Sequence, residues 1–151
     1  MHPSAQPLAA RRLLVLAAAL APLLTASCAM TRDNVPTVTL STIAGTVAYR
    51  QRIALPPDAV VKVTLADVTA ADAPAKVIAN LTFATEGRQV PLPFSLRFDG
   101  SRLDPNRVYS VSARIDQGAR MLFVTDSANR VDPKALPTNL ELMLVPASPS
   151  S

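Results

Sequence analysis

The chain has 151 residues, 49% of them hydrophobic, one cysteine, one histidine, no tryptophan and a formal net charge of +4. That length allows one domain plus whatever its two ends do. A single cysteine excludes a disulfide framework within the chain.

The first 27 residues stand apart. Arg11 and Arg12 precede the apolar run Leu13 to Leu24, small residues follow it, and no acid occurs before Asp33. A basic start, a short apolar stretch and a small-residue end are the three parts of a secretory signal. The run is 12 residues long, whereas a membrane-spanning helix needs about 20. Pro22 also interrupts it. A buried amphipathic helix is the competing reading, but the run is apolar on every face. Residues 1–27 are therefore read as a cleaved signal. Their removal leaves 124 residues with 13 Lys and Arg against 11 Asp and Glu, so much of the basic character leaves with the signal. No Lys/Arg cluster longer than a pair remains, and a nucleic-acid footprint needs a basic stripe. Nucleic acid is not expected as a partner.

Cys28 lies where the signal should be cut, in Leu24-Thr25-Ala26-Ser27-Cys28. This resembles the bacterial lipobox, with cleavage between Ser27 and Cys28 and a diacylglycerol on the Cys28 thiol. Ala26 and Ser27 fit the small positions; Thr25 departs from the usual leucine. A buried free thiol or an intermolecular disulfide are the alternatives, and a lone exported thiol is a liability in an oxidising compartment. The expectation is that the acylated Cys28 attaches the protein to a membrane. Ala29, next to it, resembles the sorting position of lipoproteins in Gram-negative bacteria. An aspartate there favours inner-membrane retention, so Ala29 implies the outer membrane, with the domain facing the periplasm. Residues 28–40 read as a tether without an apolar face.

From there the sequence alternates with a period of two, the mark of half-buried strands. Ile43, Gly45, Val47 and Tyr49 share one face. After a turn at Pro56-Pro57-Asp58 come Ala59, Val61, Val63 and Leu65, then Val77, Ala79, Leu81 and Phe83. Glu86-Gly87-Arg88 is the next turn. Val90, Leu92, Phe94, Leu96 and Phe98 alternate with Pro91, Pro93, Ser95 and Arg97. Two prolines place that segment at a sheet edge. Tyr109, Val111, Ala113 and Ile115 follow, then a tight hairpin at Asp116-Gln117-Gly118, a return strand from Met121 to Thr125, breaks at Pro133 and Pro137, and a last strand through Leu140, Leu142 and Leu144. Tyr109, just after Asp104-Pro105, is similar to the tyrosine corner of immunoglobulin-like domains, and a core tyrosine with its hydroxyl at the rim fits equally. The expected fold is all-β: a seven-stranded antiparallel β-sandwich over residues 41–146, immunoglobulin-like or transthyretin-like, with a disordered tail at 147–151.

Chemistry is sparse. His2 is lost with the signal and Cys28 is taken by lipid, which leaves no Cys/His metal site and no Ser-His or Cys-His pair. Asp58, Glu86, Asp99, Asp104, Asp116 and Asp132 fall in or beside turns, where acids usually serve the backbone. No catalytic, cofactor-binding or metal-ligating residue is expected, and the chain is not read as an enzyme. Asn80-Leu81-Thr82 matches a glycosylation sequon but reads as a strand face. Arg97, Arg107, Arg114 and Arg120 could gather to hold an anion, though solvated strand faces are the simpler reading. Tyr49 and Tyr109 are the only tyrosines, which argues against a carbohydrate site of stacked aromatics.

Two stretches carry a family resemblance. One is Gly45-Thr46-Val47-Ala48-Tyr49-Arg50 with Ala54-Leu55-Pro56-Pro57-Asp58-Ala59 and Val63-Thr64-Leu65-Ala66-Asp67-Val68. The other is Val90-Pro91-Leu92-Pro93-Phe94 with Tyr109-Ser110-Val111-Ser112-Ala113-Arg114-Ile115 and Leu122-Phe123-Val124-Thr125-Asp126. Together, over about residues 42–131, they resemble the YbaY-like lipoproteins, which are grouped with the YscW pilotins of type III secretion. The resemblance implies a β-sandwich lipoprotein. For the pilotin branch it implies help in placing a secretin ring in the outer membrane, but the likeness is nearer to the YbaY branch. The leading expectation is a non-enzymatic envelope lipoprotein that binds an envelope protein. The alternatives are a small-ligand or polysaccharide binder and a pilotin-like secretin assembly factor.

Overall fold

A computed structural model describes residues 38–148. The export signal, Ser27, Cys28, Ala29 and the tether as far as residue 37 lie outside the described residues, as does the tail from 149 to 151.

Eight strands follow in order: β1 (Leu40–Tyr49), β2 (Val60–Asp67), β3 (Lys76–Ala84), β4 (Leu92–Asp99), β5 (Tyr109–Gln117), β6 (Arg120–Val124), β7 (Asn129–Val131) and β8 (Leu140–Pro146). The only helical piece among the described residues is the 3₁₀ turn Gly100–Arg102. The strands form one sheet in the order β3-β2-β5-β6-β8-β1-β4, with β7 beside β5. Its two ends, β3 and β4, lie next to each other without a ladder, and Arg102 Nη1 donates across the seam to the Ile78 carbonyl at 2.5 Å. The sheet is thus a nearly closed barrel.

The all-β expectation holds, but the antiparallel sandwich does not. All the pairs are antiparallel except β1 and β8, which run parallel from Gly45↔Leu140 to Tyr49↔Leu144. Alternation reports that one face of a strand is buried. It is blind to whether that face looks into a sandwich or a barrel, and to the direction of the neighbour. The strand count also rises from seven to eight. β7 is three residues long, too short for an alternating pattern, and it fills the edge of β5 from Tyr109 to Val111 that β6 leaves free.

The core lies inside the barrel. Val47, Tyr49, Val61, Val63, Leu65, Leu92, Phe94, Leu96, Val111, Ile115 and Phe123 are all buried, joined by Ile43, Tyr109, Leu142 and Leu144. Only β3 departs from the expected face. Leu65 pairs with Ala79 and Ala66 with Val77, which makes Ile78 an extra, bulged residue. A bulge shifts the phase of alternation, so Ile78 turns in at 5% exposure and Val77 turns out at 50%. Leu81 and Phe83 are only partly buried. β4 pairs only with β1 and ends the strand order, which accommodates Pro93 within it. Gly118 opens the two-residue turn between β5 and β6 at φ +56, a backbone region that glycine enters without steric cost.

At the end of the barrel where β2 finishes and β5 begins, two devices fix the connections. The Tyr109 hydroxyl, inside the core, accepts the Asp104 amide at 2.8 Å, the loop-pinning role expected of a tyrosine corner. Asp67 is nearly buried. It accepts the Thr69 hydroxyl at 2.6 Å, the Thr69 amide at 3.0 Å and Arg107 Nη1 at 2.7 Å. The Thr69 bonds, then Arg107, hold its carboxyl down at about 2, against an ordinary 3.8. A depressed folded-state pKa adds stability that is complete above the ordinary value and lost as pH falls through the lowered one. Acid titration of wild type should therefore show stability falling between about pH 4 and 2. Asp67→Asn should be less stable at neutral pH and show a shallower acid limb, with a residual slope from Asp99, whose pKa is also lowered by Ser101. Equal acid slopes in the two proteins would refute this role for Asp67.

Candidate functional site

The opposite end of the barrel carries an open groove of about 870 Å³ between the segment after β1, the β5–β6 hairpin and the end of β8. The first wall is built by Tyr49. Its ring stacks on Phe123 at 4.1 Å between centroids and 5° between planes. Its hydroxyl donates to the Ile53 carbonyl at 2.6 Å, and burial raises its pKa. Two residues on, Gln89 treats Leu55 as a strand would: its Oε1 accepts the Leu55 amide at 2.7 Å and its Nε2 donates to the Leu55 carbonyl at 3.2 Å. With Leu55 buried at 4% exposure, Ile53, held by its carbonyl, displays its side chain to solvent at 61%.

The second wall is β6. It pairs with β8 only at Phe123↔Pro146 and Val124↔Val145, and the Ala147 amide donates to the Leu122 carbonyl at 2.9 Å. Beyond that, Arg120 and Met121 have β5 on one side and the groove on the other. Met121 is 39% exposed. The hairpin is steadied by Gln117, whose Nε2 donates to Asp58 at 3.0 and 3.3 Å. The lining is thus mainly apolar, with Arg120 as its only charge and no carboxylate, histidine or cysteine. Such a lining offers contact area and one cation; it offers no proton donor or acceptor placed for acid–base work.

The other candidates fall elsewhere. Arg97 is exposed on β4, Arg107 is held by Asp67, Arg114 lies 3.1 Å from Asp116, and Arg120 stands at the groove, so the four do not converge. Lys62 also faces Asp116, at 3.7 Å. Three of the six turn acids serve the backbone as expected: Asp99 accepts the Ser101 amide, Asp104 that of Asn106 and Asp132 that of Lys134, whereas Asp58 and Asp116 face side chains. Asn80 and Thr82 are exposed on a strand face, beside a shallow polar depression lined by Thr64, Ser112 and Thr125. No group of three or more His, Cys, Asp or Glu that could hold a metal occurs among the described residues. The groove itself was not anticipated. Ile53 is apolar outside any alternating segment, just after Arg50-Gln51-Arg52, but that alone does not point to a groove.

Comparison with known proteins agrees with the family resemblance. Residues 38–144 match the family model described as type III secretion system lipoprotein chaperone (YscW). The lipoprotein YbaY of Escherichia coli (strain K12) is 41% identical over 111 residues, which are 74% of this chain and 58% of that protein. The chain thus spans less than two-thirds of YbaY. A solved structure of an alternative pilotin from the type II secretion system of Vibrio cholerae superposes with a TM-score of 0.68 at 46% identity, covering 73% of this chain and 99% of that one.

Proposed function

The chain belongs to the YscW family of type III secretion system lipoprotein chaperones, and from that membership we propose that it is a non-enzymatic envelope lipoprotein that binds and assists another envelope protein. The observation that carries the reading is the groove, where Ile53 and Met121 stand exposed beside the open stretch of β6 with Arg120 at its lip. An apolar channel next to a strand with part of one edge free suits an extended segment of a partner chain. In this reading the protein is cut between Ser27 and Cys28, acylated at Cys28, passed to the outer membrane because Ala29 carries no retention charge, and faces the periplasm. Two or more acyl chains give stable attachment.

The pilotin-like reading, in which the partner is a secretin subunit, is favoured by the 46% identity to a pilotin across 99% of that chain. The small-ligand reading is weaker, because the groove is only partly enclosed whereas small-molecule sites enclose most of their ligand.

Photo-crosslinking in cells from position 121, with position 97 on the outer face of β4 as control, tests the groove. A single envelope protein attached from 121 and absent from 97 is expected; its identification as a secretin subunit would select the pilotin-like form. No adduct from 121, or the same adducts from both positions, would remove the groove as the binding site. The anchor is tested apart from it. Cys28→Ala should abolish palmitate labelling and release the protein from membranes, and retained labelling would overturn acylation at Cys28.

A further inference from the structure

Large hydrophobic side chains exposed among the described residues occupy two places. Ile53 and Met121 belong to the groove. Val38 at 61% exposure, Leu40 at 68%, Val77 at 50% and Val108 at 39% belong to the other end of the barrel. The strand registers locate them. Leu40 opens β1 opposite Asp99, the last residue of β4. Val77 is the second residue of β3, opposite Ala66 near the end of β2. Val108 precedes β5, and its carbonyl accepts the amide of Val68 just past β2. Their chain neighbours Ile78 and Tyr109 point into the core, so the exposed set points outward around one rim. Scattered exposed valines and leucines need no explanation. Their gathering at one end of a small barrel does.

The chain enters the barrel at this same end. Nine residues, 29–37, separate Cys28 from Val38, the first described residue, and the ten steps between the two can span no more than about 36 Å. Across the barrel, β1 rises from Leu40 to Tyr49, about 30 Å at the usual strand rise, and the groove lies beyond that far end. Of the acids near the rim, Asp67 is engaged by Arg107 and Thr69, Asp99 by Ser101 and Asp104 by Asn106, and Asp72 in the β2–β3 loop is exposed. Lys76 and Arg102 are exposed there.

We propose that this rim rests on the lipid surface that holds Cys28, with Leu40, Val77 and Val108 entering the headgroup layer and the groove turned away from the membrane. The inference rests on acylation at Cys28. Four aliphatic side chains would bind a bilayer weakly by themselves. A covalent tether makes the contact intramolecular, and a weak surface then suffices to set orientation.

The absence of tryptophan from the chain gives a direct test. Leu40→Trp, Val77→Trp, Val108→Trp, Ile53→Trp and Met121→Trp are each prepared as the full lipidated protein and reconstituted into phosphatidylcholine vesicles with brominated acyl chains. Tryptophan at 40, 77 and 108 should lose most of its fluorescence and shift to the blue, while tryptophan at 53 and 121 should keep its signal. No quenching at the first three positions, or equal quenching at both ends, would overturn the proposal. Flotation of the same samples separates it from the anchor. Protein that fails to float defeats lipid attachment, whereas protein that floats without quenching defeats only the docked orientation.

Discussion

Phe94→Ala is expected to lower the stability of the domain by about 3–5 kcal/mol, the range for truncating a buried phenylalanine. Phe94 is 6% exposed and lies on the inward face of β4 between Leu92 and Leu96, both 1% exposed. Its register partner on β1 is Gly45, which has no side chain to fill the space the ring would vacate. β4 holds to the sheet through one ladder only, so a loss of packing there also loosens the seam with β3. Urea unfolding followed by circular dichroism measures the effect as a lower midpoint. A change of only a few tenths of a kcal/mol would mean that the inward face of β4 is wrongly assigned.

The second large effect is expected at Gly45 itself. A Cβ placed there would overlap the backbone carbonyl of Leu140, because β1 and β8 come together in parallel at that pair. A clash with backbone cannot be relieved by a side-chain rotation. Both strands are held on their far sides, β1 by β4 and β8 by β6, so one ladder must give. Gly45→Ala is expected to cost about 3 kcal/mol, the upper part of the range for overpacked sites, although alanine is otherwise a mild replacement in a strand. A near-neutral Gly45→Ala would show that β8 does not approach β1 as described. Because Gly45 faces Phe94, the double variant should depart from additivity, and that departure measures their coupling.

What the sequence makes legible follows from what alternation encodes. In β1, β4 and β5, and in β2 as far as Leu65, one side chain in two faces the core, so Val47, Val63, Leu96 and Ile115 could be placed inward from the pattern alone. β3 shows the limit. Val77, Ile78 and Ala79 are all apolar, so nothing local marks Ile78 as the bulged residue; the pairing with β2 decides it. The parallel partnership of β1 with β8 depends on how the chain returns after β7, and neither strand carries a mark of its neighbour's direction. The tyrosine corner was legible because Asp104-Pro105 and Tyr109 are close in sequence. The groove was not, because its walls come from the segment after β1, the β5–β6 hairpin and the end of β8, and only folding brings Ile53 to Met121. Cys28 is the reverse case: its reading rests on local sequence alone and owes nothing to the barrel.

The joining of the first strand to the last has a consequence for the order in which the protein acquires its structure. Gly45 and Leu140 are 95 positions apart, and contacts of such wide sequence separation are slow to form because a large loop must be closed first. β1 can pair with β4 over a shorter loop, while its other edge stays bare until β8 arrives. Until then the domain is an incomplete sheet with an open strand edge. Removing residues 140–146 should hold it there permanently, prone to pair with its own copies.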